Sequence, residues 1–184
     1  MGGNALKKLS TSRLAKEDYK KVETDVIQRL KKEEKRCFVP RYFSDKESFG
    51  DLDVVISNID KEFIEKIFSP EEIFENGNIF SFSYNFEDKI FQIDFIIVSE
   101  KNFRFASFYY SFGDTGAIIG AMSKAWGLTF SDKGLFHNFC YNFGESGTFI
   151  KKIFLTDDIS EALDSEGLYL SKIVEKLFRL KIKI

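Results

Sequence analysis

Glu47-Ser48-Phe49-Gly50-Asp51-Leu52-Asp53-Val54-Val55-Ile56 is the stretch on which the reading of this chain turns. The β-branched run predicts a strand over Asp53–Ser57, entered through Gly50-Asp51. Side chains alternate along a strand, so Asp51 and Asp53 share one face while Leu52, Val54 and Ile56 take the other. Two carboxylates held that close repel each other unless a cation sits between them. Such a pair suits Mg²⁺, a hard ion that keeps several waters and takes substrate phosphates for the rest. The alternative is a Gly-Asp turn ahead of an ordinary strand.

A second stretch bears on that choice. Phe91-Gln92-Ile93-Asp94-Phe95-Ile96-Ile97-Val98 is an apolar strand with one charge in its middle. An unpaired carboxylate inside such a strand costs several kcal/mol, roughly. No Lys or Arg stands between residues 90 and 100, so compensation for Asp94 must come from elsewhere in the fold. A metal shared with Asp51 and Asp53 supplies it; an edge-strand Asp facing water is the other reading. A DxD pair after a glycine plus a third Asp on a neighbouring strand is the donor set of two-metal phosphoryl transfer.

Outward from these strands, the chain alternates helix and strand patterns. Arg13 to Arg36 is rich in Lys and Glu, with Leu14, Val22, Val26, Ile27 and Leu30 near helical period. Cys37-Phe38-Val39 predicts a short strand stopped by Pro40. Lys61 to Phe68 places apolar residues at 63, 64, 67 and 68 on one helical face. Asn78 to Phe86 and Lys89 to Val98, joined by Glu87-Asp88, predict an antiparallel hairpin. Ser99 to Trp126 predicts two helices broken near Phe112-Gly113-Asp114, with Gly127 ending the second. Gly134-Leu135-Phe136 predicts a strand with His137 at its end. Thr156-Asp157-Asp158 caps a short helix through Leu163, and a last helix is expected over Leu170–Leu180. The mixture predicts an α+β (α/β) fold, a mixed sheet flanked by helices.

Composition narrows the function classes. The chain has 184 residues, 27 Lys+Arg against 29 Asp+Glu, and a net charge of −2, which argues against a strong non-specific nucleic-acid clamp. One His and two distant Cys leave no zinc spacing and no disulfide scaffold. No apolar run is long enough to cross a membrane, and Met1 to Leu6 lacks the layout of a signal peptide. The 22 Phe supply apolar area to a small core.

With these residues in place, Glu47–Ile56 resembles the metal-binding strand of the nucleotidyltransferase superfamily, most like the family X DNA polymerases. Phe91–Val98 resembles the strand that carries their third Asp. Phe108-Tyr109-Tyr110-Ser111-Phe112-Gly113-Asp114 resembles the segment that meets the sugar of the incoming nucleotide. Ala121–Phe130 with Gly134-Leu135-Phe136, then Lys152–Leu163, resemble the helix and strands that follow. The similarity runs in order from about residue 37 to 165 and implies a palm over 37–100 and a thumb-like subdomain over 101–184. An N-terminal helical segment, 1–36, precedes the palm.

The resemblance implies that Asp51 and Asp53 bridge two Mg²⁺ (or Mn²⁺ in their place) and that Asp94 binds the ion that activates the nucleophile. It implies nucleotide contacts from Ser48, Gly50, Tyr110, Ser111, Gly113 and Asp114. Relatives carry Gly-Ser ahead of the DxD; here Pro40-Arg41-Tyr42-Phe43 stands there, which makes Arg41 and Lys46 the candidates for gripping phosphate. Lys124 and Lys133 are candidate nucleic-acid contacts. The implied activity is transfer of a nucleoside monophosphate from a nucleoside triphosphate to a hydroxyl, foremost a DNA 3′ end. RNA, protein or small-molecule acceptors are alternatives, as is a non-catalytic nucleotide-binding relative. The expected setting is a monomer in the cytoplasm, of viral or phage source, with nucleic acid and no membrane as partner. His137, Cys37 and Cys140 are read as non-catalytic, with both cysteines partly buried. Trp126 is read as core. Lys7, Lys8, Arg13 and Lys16 form a basic stretch within reach of nucleic acid or triphosphate.

Overall fold

A computed structural model describes residues 3–142 and 148–165. The chain divides into two compact units, residues 1–103 and 104–184. The segment read as a separate helical lead thus belongs to the first unit, and its helix builds that unit's core.

The first unit opens with a bridge strand, β1 (Leu14–Ala15), and a helix, α1 (Lys16–Lys32). Leu14 therefore pairs with Phe49 as strand and does not begin the helix. In α1, Tyr19, Val22, Val26 and Leu30 are buried at spacings of three and four, one continuous stripe. Short strands β2 (Cys37–Phe38) and β3 (Ser48–Phe49) precede β4 (Asp51–Ser57), which starts two residues earlier than its β-branched run suggested. Helix α2 (Lys61–Phe68) is capped by Asp60, whose carboxylate accepts the Phe63 N–H at 2.9 Å. Strand β5 (Ile73–Asn76), not foreseen, leads to the hairpin β6 (Ile79–Phe86) and β7 (Lys89–Val98). Glu87 takes a positive φ of 53° in the two-residue turn, as a tight hairpin requires.

The five strands order β2-β4-β7-β6-β5. β4 and β7 run parallel, and the other neighbours antiparallel. A parallel pair needs a long crossover, which α2, β5 and β6 provide. One sheet face carries Leu52, Val54, Ile56, Phe82, Phe91, Ile93 and Phe95, and these form one core with the α1 stripe and Ile64 of α2. Fully burying each of these side chains stabilises by roughly 1.5–3 kcal/mol. Phe49 stacks on Tyr19 with ring centroids 3.9 Å apart, so phenylalanine does serve as core here. The other face of β4 and β7 carries Asp51, Asp53, Gln92 and Asp94 and then turns apolar, with Val55, Ile96 and Val98 buried.

The second unit contains α3 (Phe103–Tyr109) from its second residue on, α4 (Thr115–Ala125), an antiparallel sheet of β8 (Leu128–Ser131), β9 (Gly134–Asn142) and β10 (Thr148–Thr156), and α5 (Ile159–Ser165). Its core joins Phe105, Phe108, Ile119, Phe130, Leu135, Ala162 and Leu163. A Cβ on Gly116 would stand 2.2 Å from the Tyr109 carbonyl oxygen, so glycine lets α4 start against the end of α3. Asp158 caps α5, accepting from the Ser160 and Glu161 N–H groups.

Three expectations change in this unit. His137 lies inside β9, paired with Leu128 and Ile153, because the strand continues to Asn142 instead of ending at Phe136. Trp126 is 56% exposed. It is the C-cap residue of α4 and continues the outward row of Ile118 and Met122, away from the buried Ile119 and Ser123. Cys140 is exposed, while Cys37 is half-buried. The helix expected over Leu170–Leu180 lies outside the described residues.

Candidate functional site

The parallel pairing of β4 with β7 decides where the acidic residues fall. Asp53 sits opposite Asp94 and Asp51 opposite Gln92. In the next pairing, Asp94 sits opposite Ser81 and Gln92 opposite Ser83. Alternation puts all six on the face away from the helices. The first unit thus has one greasy sheet face and one face whose centre holds two serines, a glutamine and three carboxylates.

Each acidic side chain has its own setting. The Asp51 carboxylate accepts the Gly3 N–H at 2.8 Å. Asp94 accepts both oxygens' worth of hydrogen bonding from one amide: Gln92 Nε2 donates at 2.8 and 3.1 Å. Ser81 donates to Asp94 as well. Burial, then the Asp51 charge, pushes the Asp94 carboxyl up to about 6, against the pull of its Ser81 and Gln92 hydrogen bonds. Crowding by protein atoms and the like charges of Asp51 and Asp94 push Asp53 up to about 7, opposed by Lys46. Part of the Asp53 residue is open to water, and the like charges of Asp51 and Asp94 add to the effect of burial in that rise.

The geometry therefore joins Asp51, Asp53 and Asp94 on one face and in one electrostatic unit. It does not bring them into a ready cage: among the described residues, no three carboxylate, His or Cys side chains are grouped so as to hold a metal ion as they stand. Asp51 and Asp94 are each turned toward a protein donor instead.

The residues expected to meet phosphate lie on the approach to β4. Lys46 is exposed, its ammonium 4.6 Å from the Phe49 ring centroid, and its charge reaches Asp53. Arg41 is half-buried in the connection from β2 to β3. Ser48 is held by Arg13, whose Nε donates to its hydroxyl and whose Nη2 donates to its carbonyl, each at 2.9 Å. Lys16 donates to the Ser44 carbonyl at 2.7 Å. Arg13 and Lys16 thus fasten the 44–48 loop. Gly50 is buried at the start of β4.

The remaining candidates belong to the second unit. Tyr110 packs edge-on to Tyr109. Ser111 is buried, and its hydroxyl donates to the Ser107 carbonyl at 2.7 Å. Gly113 takes a φ of 62°, and Asp114 is the exposed N-cap position of α4. Lys124 and Lys133 are exposed.

Sequence reasoning missed Gln92, Ser81 and the backbone of residues 3–9. The first two carry a signal: they are polar residues at alternate positions of otherwise apolar strands, in phase with Asp94. The Gly3 contact carries none, because a backbone N–H is present at every residue but proline. The chain matches no protein-family model and no curated protein sequence.

Proposed function

We propose that this chain is a nucleotidyltransferase with a palm like that of the family X DNA polymerases. It would transfer a nucleoside monophosphate from a nucleoside triphosphate to a hydroxyl, foremost a DNA 3′ end. The observation that supports this reading is the placement of Asp51, Asp53 and Asp94 on one face of two adjacent parallel strands, with the Asp53 and Asp94 carboxyls both raised by burial and by the charge of Asp51.

The donor set fits Mg²⁺. It is all oxygen and carries surplus negative charge, and one of its members is open to water. Asp51 and Asp53 would hold two ions, and Asp94 would share one of them once its side chain turns from Gln92. Divalent cations at such a site lower the pKa of an attacking hydroxyl and offset charge on the leaving pyrophosphate. The chain's own part is to position. The sheet fixes the spacing of the carboxylates, Lys46 brings positive charge to the side of Asp53, and Arg41 is the candidate for the triphosphate. In the transfer, the acceptor hydroxyl loses its proton to water, its oxygen bonds to the α-phosphorus, and the bond to the departing pyrophosphate oxygen breaks.

The test is incubation of the purified chain with α-labelled ribo- and deoxyribonucleoside triphosphates, Mg²⁺ and a panel of DNA, RNA, protein and small-molecule acceptors. Label carried to an acceptor by the wild type and lost in Asp53→Asn supports the reading. Absence of transfer to every acceptor refutes it.

A further inference from the structure

The segment ahead of β1 crosses the polar sheet face that holds the carboxylates. Its two ends are attached differently. At one end, the N–H groups of Lys7, Lys8 and Leu9 all donate to the Glu72 carboxylate at 2.9–3.1 Å. The Ser12 N–H donates to the Ile90 carbonyl at 2.8 Å, and Leu6 is buried. At the other end, single bonds reach the site: Gly3 N–H to Asp51 at 2.8 Å and Ala5 N–H to the Gln92 side-chain oxygen at 2.9 Å. Gln92 passes the contact on, because its amide nitrogen holds Asp94. One segment thus touches Asp51 directly and Asp94 through one intermediary.

The fit at the Gly3 end is close. Gly3 has a φ of 88°, and a Cβ there would stand 2.3 Å from the Gly50 carbonyl oxygen. Only glycine lets the chain lie down on the turn into β4. The Thr11 hydroxyl closes the loop by donating to the Gly3 carbonyl. An N–H aimed at a carboxylate supplies part of the positive charge that the acidic face lacks. It also occupies an oxygen that a cation needs.

We propose that residues 3–9 are a strap that holds Asp51 and, through Gln92, Asp94 in their ligand-free arrangement, and that its Gly3 end lifts when a divalent cation enters while its Glu72 end stays anchored. The inference rests on the acidic trio being a cation site, as the nucleotidyltransferase reading has it. Competition between strap and cation makes the apparent affinity lower than the intrinsic one by the fraction of chains with the strap up.

Two measurements on the full chain test it. Amide exchange followed by NMR should show Gly3 and Ala5 protected in chelator and exchanging at least about tenfold faster with Mg²⁺, while Lys8 and Leu9 keep their protection. Mn²⁺ titration should show Gly3→Ala binding about three- to tenfold more tightly than wild type. Gly3 and Ala5 amides that stay protected with Mg²⁺ present overturn the strap, as does unchanged or weaker Mn²⁺ binding by Gly3→Ala. Nucleotide transfer with the strap still docked overturns the strap alone. Strap release by Mg²⁺ without transfer to any acceptor upholds the strap and refutes the transfer reading.

Discussion

Replacing Asp94 by Asn separates catalysis from stability. The carboxyl stands at about 6 in the folded chain against an ordinary 3.8. That difference corresponds to roughly 3 kcal/mol between its protonated and ionised forms. The direction follows from proton binding: between those two values the folded chain binds more protons than the unfolded one, so stability falls as pH rises through that window. The penalty is absent below about pH 3.8 and complete above about 6. Asparagine never ionises and so escapes it. It can still accept from Gln92 or Ser81 through one oxygen, and loss of the other bond costs about 0.5–1.5 kcal/mol. The net expectation in chelator at pH 7.5 is a gain of about 2 kcal/mol, hence a rise in melting temperature of roughly 4–8 °C for a chain of this size. Near pH 4 the advantage should vanish or reverse. The assay is thermal denaturation by circular dichroism across pH 4 to 8 with chelator, alongside labelled-nucleotide transfer, which Asp94→Asn should abolish. A mutant less stable than wild type at pH 7.5, and still active, would refute the reasoning and make Asp94 a structural residue.

Other expectations follow from the same arrangement. Arg41→Ala should weaken triphosphate binding by about 1.5–3 kcal/mol, the range for a charge-assisted hydrogen bond, as read by calorimetry. Unchanged affinity would remove Arg41 from the site. Carbon-13 NMR of labelled aspartate should find Asp53 titrating near 7, and Lys46→Ala should move that midpoint upward, because Lys46 pulls it down. Leu30→Ala, at a fully buried position of the α1 stripe, should cost about 2–5 kcal/mol in denaturant unfolding.

Much of this was legible in the sequence, for identifiable reasons. α2 and the β6–β7 hairpin carry complete local signals: an Asp cap, a helical apolar face, and two alternating runs around a two-residue turn. Asp94 stood out because strand packing alone gives no reason for a charge among Phe and Ile. β5 was missed because Ile73-Phe74-Glu75-Asn76 is too short to show alternation, and its strand character comes from pairing with β6. Trp126 was misplaced because large aromatics are usually buried, whereas its position at the end of α4 turns it outward. Less was legible around the three carboxylates. Spacing fixes a shared face but says nothing of the Gly3 and Gln92 donors that turn two of them aside.

The most direct measurement is Mn²⁺ binding stoichiometry by electron paramagnetic resonance, with and without a non-hydrolysable nucleoside triphosphate. The expected result is about two ions per wild-type chain with the triphosphate, about one in Asp94→Asn, and none bound tightly in Asp53→Asn. Stoichiometry that is the same in all three chains would contradict a cation site built from these aspartates.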